Sequence, residues 1–186
     1  MGEAAKRTQV SVEDYLKGEE IADVRHEYID GAVFAMVGAS KVHNLIAGNL
    51  YGLLRTALDS HPCRVFMSDV KVHVKTKAGE RFYYPDLHVE CEPFTDDSYH
   101  SEHPKLVVEI LSDSTERSDR SEKFYAYRKL VSLDEYVLVA QDEPRVEVYR
   151  RSTGWELEIF GAKDSFCLNS VGAVMTVASV YVAVEL

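Results

Sequence analysis

Leu106-Val107-Val108-Glu109-Ile110-Leu111 is an apolar run with a single carboxylate near its centre. Its length and branched side chains are those of a strand buried on both faces. An ionised carboxylate in that setting is costly unless a cation meets it. Pro85-Asp86 follows another apolar stretch upstream, and Lys123 lies downstream on an expected helix. Two carboxylates and an ammonium converging on one point suggest a divalent-metal site suited to phosphodiester hydrolysis.

The surrounding pattern sets the fold class. Downstream, Ser112 to Ser118 is a polar connection, and Asp119 opens a helix reaching about Leu130. Asp119 and Glu122 have the spacing of a capping box. Lys129-Leu130-Val131-Ser132 offers no glycine to stop that helix. Glu135 to Ala140 and Arg145 to Arg150 read as strands joined at Asp142-Glu143-Pro144, and Trp155 to Phe160 adds another. The unit from Lys105 to Ala140 is strand–helix–strand, which a right-handed crossover turns into two parallel neighbours. Beyond Phe160 the pattern is ambiguous.

Upstream, Ser11 is placed to cap a short helix, and His26 to Ala35 reads as a hairpin turning at Asp30-Gly31. Ser40 to Leu58 is the clearest helix, with Val42, Leu45, Ile46, Leu50, Leu53, Leu54 and Leu58 at helical spacing. Arg64 to Lys75 and Arg81 to Cys91 alternate as a strand pair about Ala78-Gly79, and Glu92 to His103 reads as a loop. The expected class is α/β (α+β), a central mixed β-sheet flanked by helices. Residues 1–10 are expected to fray, and 11–186 to form one domain.

The 186 residues carry a net charge of −10, which argues against broad affinity for nucleic acid. Local basic groups and metal ions still allow a phosphate-directed enzyme. No apolar stretch approaches the roughly eighteen residues of a membrane span. MGEAAKRTQVSVEDYL lacks the apolar core of a secretory signal, so a cytoplasmic protein is expected. Cys63, Cys91 and Cys167 are odd in number and far apart. They suggest small buried hydrophobes rather than a disulfide framework or a zinc knuckle.

Each candidate residue has a plainer reading beside the chemical one. Glu109 could belong to a buried salt bridge, and Asp86 to a turn after Pro85. Lys123 could be a solvated helical lysine, although Phe124 and Tyr127 place its stem near the buried face. Glu27, a possible further metal ligand, could be an exposed charge before the hairpin turn. His43 could be an ordinary helix histidine; it and Ser112 are accessory candidates. Alternation puts Asp86, His88 and Glu90 on one face, where His88 and Glu90 are expected at a solvated edge. No phosphate-binding GxxxxGK[ST] or GxGxxG loop, GxSxG elbow or HExxH zinc motif is present.

At these residues the chain resembles the Uma-type family of "putative restriction endonucleases" in the PD-(D/E)xK nuclease superfamily. The resemblance rests on His26-Glu27-Tyr28-Ile29-Asp30-Gly31, Tyr84-Pro85-Asp86-Leu87 and Leu106 to Ser112. It continues through Ser114-Thr115 to Asp119, Lys123 and Tyr127, and through Glu135-Tyr136-Val137-Leu138-Val139. It spans about Ser11 to Tyr149. It implies a restriction-endonuclease-like core in which Asp86, Glu109 and the Ile110 carbonyl bind Mg2+ or Mn2+. It also implies that Glu27 is an accessory acid. The superfamily's lysine usually stands two residues after the second acid, where this chain has Leu111; the resemblance implies its transfer to Lys123. The implied activity is DNA phosphodiester hydrolysis, and cutting both strands would call for a homodimer. The alternatives are a catalytically silent interaction module on a nuclease fold, or a phosphodiesterase for RNA or small nucleotides.

Overall fold

The computed structural model describes residues 9–77, 79–93 and 99–186. Most of the segment expected to fray lies outside them, but Val10 is tied down, its amide donating to the Gly31 carbonyl at 3.0 Å. Ser11 caps α1 (Val12–Glu19) by accepting from the Asp14 amide. Asp30 and Gly31 both adopt positive φ, 48° and 97°, and close β1 (His26–Ile29) onto β2 (Ala32–Ala35). Ser40 caps α2 (Lys41–Ala57) through the His43 amide, and α2 buries Ile46, Leu50 and Leu54.

The two long strands expected over 64–75 and 81–91 each break in two. β3 (Arg64–Met67) is separated by a turn from β4 (Lys71–Thr76), and β5 (Gly79–Tyr83) by Tyr84-Pro85-Asp86 from β6 (Leu87–Glu90). Pro85 has no amide to continue a ladder, and Asp69 occupies the other turn. The alternation runs through both breaks, which hides them in the sequence. After the breaks the halves join different sheets.

β7 (His100–Ser101) is a short strand in what reads as a loop, and β8 (Pro104–Ile110) is the apolar run. A helical segment follows: α3 (Glu116–Ser118), a π-helical turn over Asp119–Lys123, and α4 (Phe124–Tyr127). β9 (Glu135–Val139), β10 (Arg145–Arg150) and β11 (Leu157–Gly161) come next. The ambiguous tail forms a hairpin, β12 (Ser165–Leu168) and β13 (Ala173–Thr176), and then α5 (Val177–Val180). One sheet runs β2-β1-β5-β4-β7, and the other β11-β10-β9-β8-β6-β3. In the second, β8 and β9 pair in parallel and every other pairing is antiparallel, so the expected mixed sheet and crossover are present.

The alternation of β8 divides the interior. Leu106, Val108 and Ile110 face α2 and the β12–β13 hairpin, packing with Ile46, Leu50, Phe166 and Met175. Val107 and Leu111 face the opposite way, with Val72, Tyr83, Phe124, Tyr127 and Leu138. Glu109 shares their parity and is therefore aimed at the helical segment. The helix ends without glycine: the amides of Arg128, Lys129 and Leu130 donate to the carbonyls of Phe124, Ala126 and Tyr127, and the Arg151 guanidinium holds the turn beyond through the carbonyls of Leu130 and Leu133.

Two expectations about polar residues are corrected. Register places Arg64 opposite Glu90, so the residues flanking that pair, Cys63 and Cys91, meet and form a disulfide; only Cys63 is fully buried. His88 is not at a solvated edge, because β6 lies between β8 and β3. Its ring is wholly buried, and its Nε2 meets the Ser101 hydroxyl at 2.8 Å while that hydroxyl donates to Glu90 at 3.1 Å. Ser101 therefore accepts from Nε2–H, and the bare Nδ1 has no partner among the described residues, as suits a neutral ring.

Burial pushes the His88 pKa down to about 3. The unfolded chain takes up this proton near pH 6.5 while the folded chain does not, so folded stability is complete above that pH. It should fall by up to about 1.4 kcal/mol per pH unit between pH 6.5 and 3. Denaturant titrations across this range should show a distinctly shallower decline in His88→Gln than in the wild type.

Candidate metal and hydrolytic site

β6 and β8 are neighbours, and the Pro85 break leaves Asp86 just ahead of β6, beside Ile110 at the end of β8. Asp86 Oδ2 accepts from the Ile110 amide at 2.7 Å, and the Asp86 amide lies 3.4 Å from Glu109 Oε2. From α2, His43 Nε2 approaches Asp86 Oδ2 at 3.2 Å and also engages the Ile110 carbonyl. Burial lowers the His43 pKa, but Asp86, that carbonyl and Asp119 outweigh it and leave the pKa raised.

Lys123 comes from the π-helical turn, and its Nζ is met by three carboxylates. Glu27 Oε1 lies at 3.1 Å, Glu109 Oε1 at 3.2 Å and Asp119 Oδ1 at 3.3 Å. Tyr127 points its hydroxyl at the same Glu109 oxygen, at 3.4 Å. Glu109, Asp119 and Lys123 are only 3%, 1% and 6% exposed. The wider π turn alters local hydrogen bonding, and the Tyr136 phenol donates to the Asp119 carbonyl at 3.0 Å.

Two other buried glutamates on this sheet show what a structural ion pair looks like here. Glu147 lies between Arg120 (2.9 Å) and Arg145 (3.1 Å). Glu135 is paired with Arg150 and accepts the amides of Asn169 and Ser170. In both cases the buried glutamate meets arginine directly, and the further acids on those arginines, Glu158, Glu116 and Glu143, reach solvent. Glu109 instead shares one lysine with two other acids and has Asp86 beside it. Burial raises its pKa well above the ordinary range; Lys123 opposes that, and Asp119, Asp86 and Glu27 reinforce it. Asp119 is likewise raised by burial, against the pull of Lys123. Burial would lower Lys123, but Glu109, Glu27 and Asp119 hold its pKa well above normal. The surplus is negative, and a further cation would relieve it.

The donor set fits a hard divalent cation. It is all oxygen: carboxylates of Asp86 and Glu109, with the Ile110 carbonyl beside them. Among the described residues, Glu27 Oε1 and both Asp119 oxygens are buried without a well-directed hydrogen bond, and Glu27 Oε1 and Asp119 Oδ1 are each paired with Lys123. Asp86, Glu109, Ile110 and Lys123 line a cleft of about 400 Å³ whose walls also include Arg25, Ser40, His43, Ser112 and Gln141. Ser112 is at its rim, with its hydroxyl engaged by Ser114 and Thr115 at 3.1 and 3.0 Å.

The fold thus gathers Asp86, Glu109, Lys123, Glu27 and His43 in one region. Asp119 was read only as a helix start. The helical segment begins earlier, at Glu116, and no side-chain cap operates there, so the capping-box expectation fails. The available signal was the four-residue spacing from Asp119 to Lys123, which puts both on one helical face.

The Uma2 family model, described as "Putative restriction endonuclease", matches residues 12–175. The chain belongs to the Uma2 family. An uncharacterized Synechocystis sp. protein, slr1290, is 34% identical over 176 residues, covering 93% of this chain and 92% of the relative. A second from the same organism, sll1609, is 36% identical over 141 residues, covering 74% and 78%. The crystal structure of "a putative nuclease belonging to DUF820" from Anabaena variabilis superposes with a TM-score of 0.77 at 17% identity, covering 95% of this chain and 99% of that one. That likeness shows the restriction-endonuclease-like fold for this Uma2 chain. Within it, no helix among the described residues is long and apolar enough to cross a membrane.

Because Lys123 is the cation shared by three acids, Lys123→Met should destabilise the protein by about 3–5 kcal/mol at pH 7. The stranded carboxylates can take protons, so the penalty should shrink at pH 5. Equal penalties in denaturant titrations at both pH values would contradict this electrostatic account.

Proposed function

We propose that this Uma2-family protein is a metal-dependent endonuclease that hydrolyses DNA phosphodiester bonds. The observation that carries the reading is the acid surplus around Lys123: four carboxylates, from Glu27, Asp86, Glu109 and Asp119, with one lysine and one histidine among them. At Glu135 and Glu147, by contrast, the buried carboxylate meets arginine and the additional acids reach solvent. Asp86, Glu109 and the Ile110 carbonyl would hold Mg2+ or Mn2+. When bound, the ion supplies Lewis-acid polarisation of the scissile phosphate and a more acidic bound water.

Lys123 is read as a fixed ammonium rather than a proton acceptor, because its acidic neighbours hold its proton tightly. It would stabilise the negative charge that grows on the phosphoryl oxygens as water attacks phosphorus and the leaving P–O bond breaks. Glu27 and Asp119 would hold that ammonium in position. Tyr127, whose own pKa is pushed up by burial, would remain a neutral phenol and steady Glu109. His43 would orient Asp86.

The acidic cleft also bears on binding. Without a divalent ion it repels phosphate, so DNA affinity should itself depend on the metal. A homodimer would supply the two sites that cleavage of both strands requires.

With supercoiled plasmid as substrate, nicking should require Mg2+ or Mn2+ and stop with a chelator. Asp86→Ala and Glu109→Gln should reduce it to background, and Lys123→Ala should cost about 10²–10³-fold in kcat. Metal-dependent cleavage undiminished in Asp86→Ala would overturn the assignment. Metal binding without cleavage of DNA would instead point to RNA or a small nucleotide as substrate.

A further inference from the structure

A second group of metal-ligating side chains lies away from the acidic cleft and lines no part of it. His73 on β4, His100 on β7 and Glu102 just beyond β7 bring three ligand atoms within 4.8 Å of one another. His73 Nδ1 is 3.2 Å from Glu102 Oε1, and His100 Nε2 is 3.8 Å from the same oxygen. Metal–ligand bonds of about 2.0–2.2 Å in a tetrahedron separate ligand atoms by about 3.3–3.6 Å. The cluster is close to that spacing.

The far side of His73 adds an independent observation. Its Nε2 is 3.0 Å from Glu80 Oε2, so each ring nitrogen faces a carboxylate. A neutral imidazole has only one N–H to offer, so the second nitrogen would set a lone pair against a carboxylate oxygen. A positive charge at Nδ1, a proton or a metal ion, removes that conflict and leaves Nε2–H to donate to Glu80, and His100 beside the same Glu102 oxygen supplies a further ligand for the metal ion. Metal-bound histidines commonly have this outer carboxylate partner, which fixes both tautomer and ring orientation. The ring is held further by stacking on Phe82, with centroids 4.2 Å apart and planes 4° apart, and its residue is only 8% exposed.

We propose that His73, His100 and Glu102 form a structural site for a divalent transition ion of the zinc class, with Glu80 orienting His73 from outside. A mixed nitrogen and oxygen set favours such an ion over Mg2+, and water would complete four-fold coordination. The ion would fasten β7 to the β4–β5 hairpin. β7 is two residues long and pairs with β4 only through Lys71–His100 and Val72–Ser101, so a cross-link there replaces a ladder too short to hold by itself.

The test is to strip the full-length protein of metal and titrate it with Co2+ and then Zn2+. The wild type should develop the intense visible bands of tetrahedral Co2+, displaced by one equivalent of Zn2+, and Zn2+ should raise its melting temperature. His100→Ala and Glu102→Ala should lose the bands and the thermal shift while keeping the metal-free melting temperature. Asp86→Ala and Cys91→Ser should retain both. Absence of the bands in the wild type would overturn the proposal. So would bands that survive His100→Ala, or, in protein reduced to open the Cys63–Cys91 disulfide, bands lost in Cys91→Ser, since His61 and the freed thiols would form the other close His/Cys/carboxylate group among the described residues.

Discussion

A buried ammonium surrounded by more carboxylates than it can neutralise is the constraint on which this architecture turns. Lys123 has to reach Glu109 on β8, Glu27 on β1 and Asp119 on its own helical segment. Those positions belong to two sheets and a crossover helix, so the ion cluster requires all three in register. Desolvating several charges is expensive, and placing acids in excess raises the cost further. Such an arrangement is intelligible as a site that a divalent cation completes.

The scaffold makes this possible by keeping the rest of the sheet conventional. One face of β8 is apolar against α2 and the terminal hairpin, while the other contains Glu109 between Val107 and Leu111. Nearby charged residues are neutralised locally: Glu147 by two arginines and Glu135 by Arg150 with backbone amides. Buried charge imbalance is thereby concentrated around Lys123. The π-helical turn serves the same end, because it accompanies the inward placement of Asp119 and Lys123 on consecutive turns.

Much of the architecture was legible in the sequence because it rests on local pattern. Ser11 and Ser40 as caps, Asp30-Gly31 as a hairpin turn, and β8–helix–β9 as a parallel crossover all follow from short-range chemistry. The breaks at Asp69 and Pro85 were concealed because period-two alternation continued across them. β7 was missed because two residues carry no periodic signal; its pairing to β4 depends on partners almost thirty residues away. The Cys63–Cys91 contact likewise follows from antiparallel register rather than from spacing.

By itself the sequence determined the fold class and the principal candidates, Asp86, Glu109 and Lys123, because a carboxylate in an apolar strand is conspicuous wherever the chain folds. Only the tertiary structure decided who else stands with them. Asp119 looked like a helix cap until the helix proved to start earlier, and His88 looked like an edge residue until β3 covered β6. His73 and His100 meet only because two strands from different stretches of chain lie side by side. The physical reason is common to all three. Periodicity and capping reach no further than a few residues, whereas burial and charge balance depend on every segment that packs around a side chain.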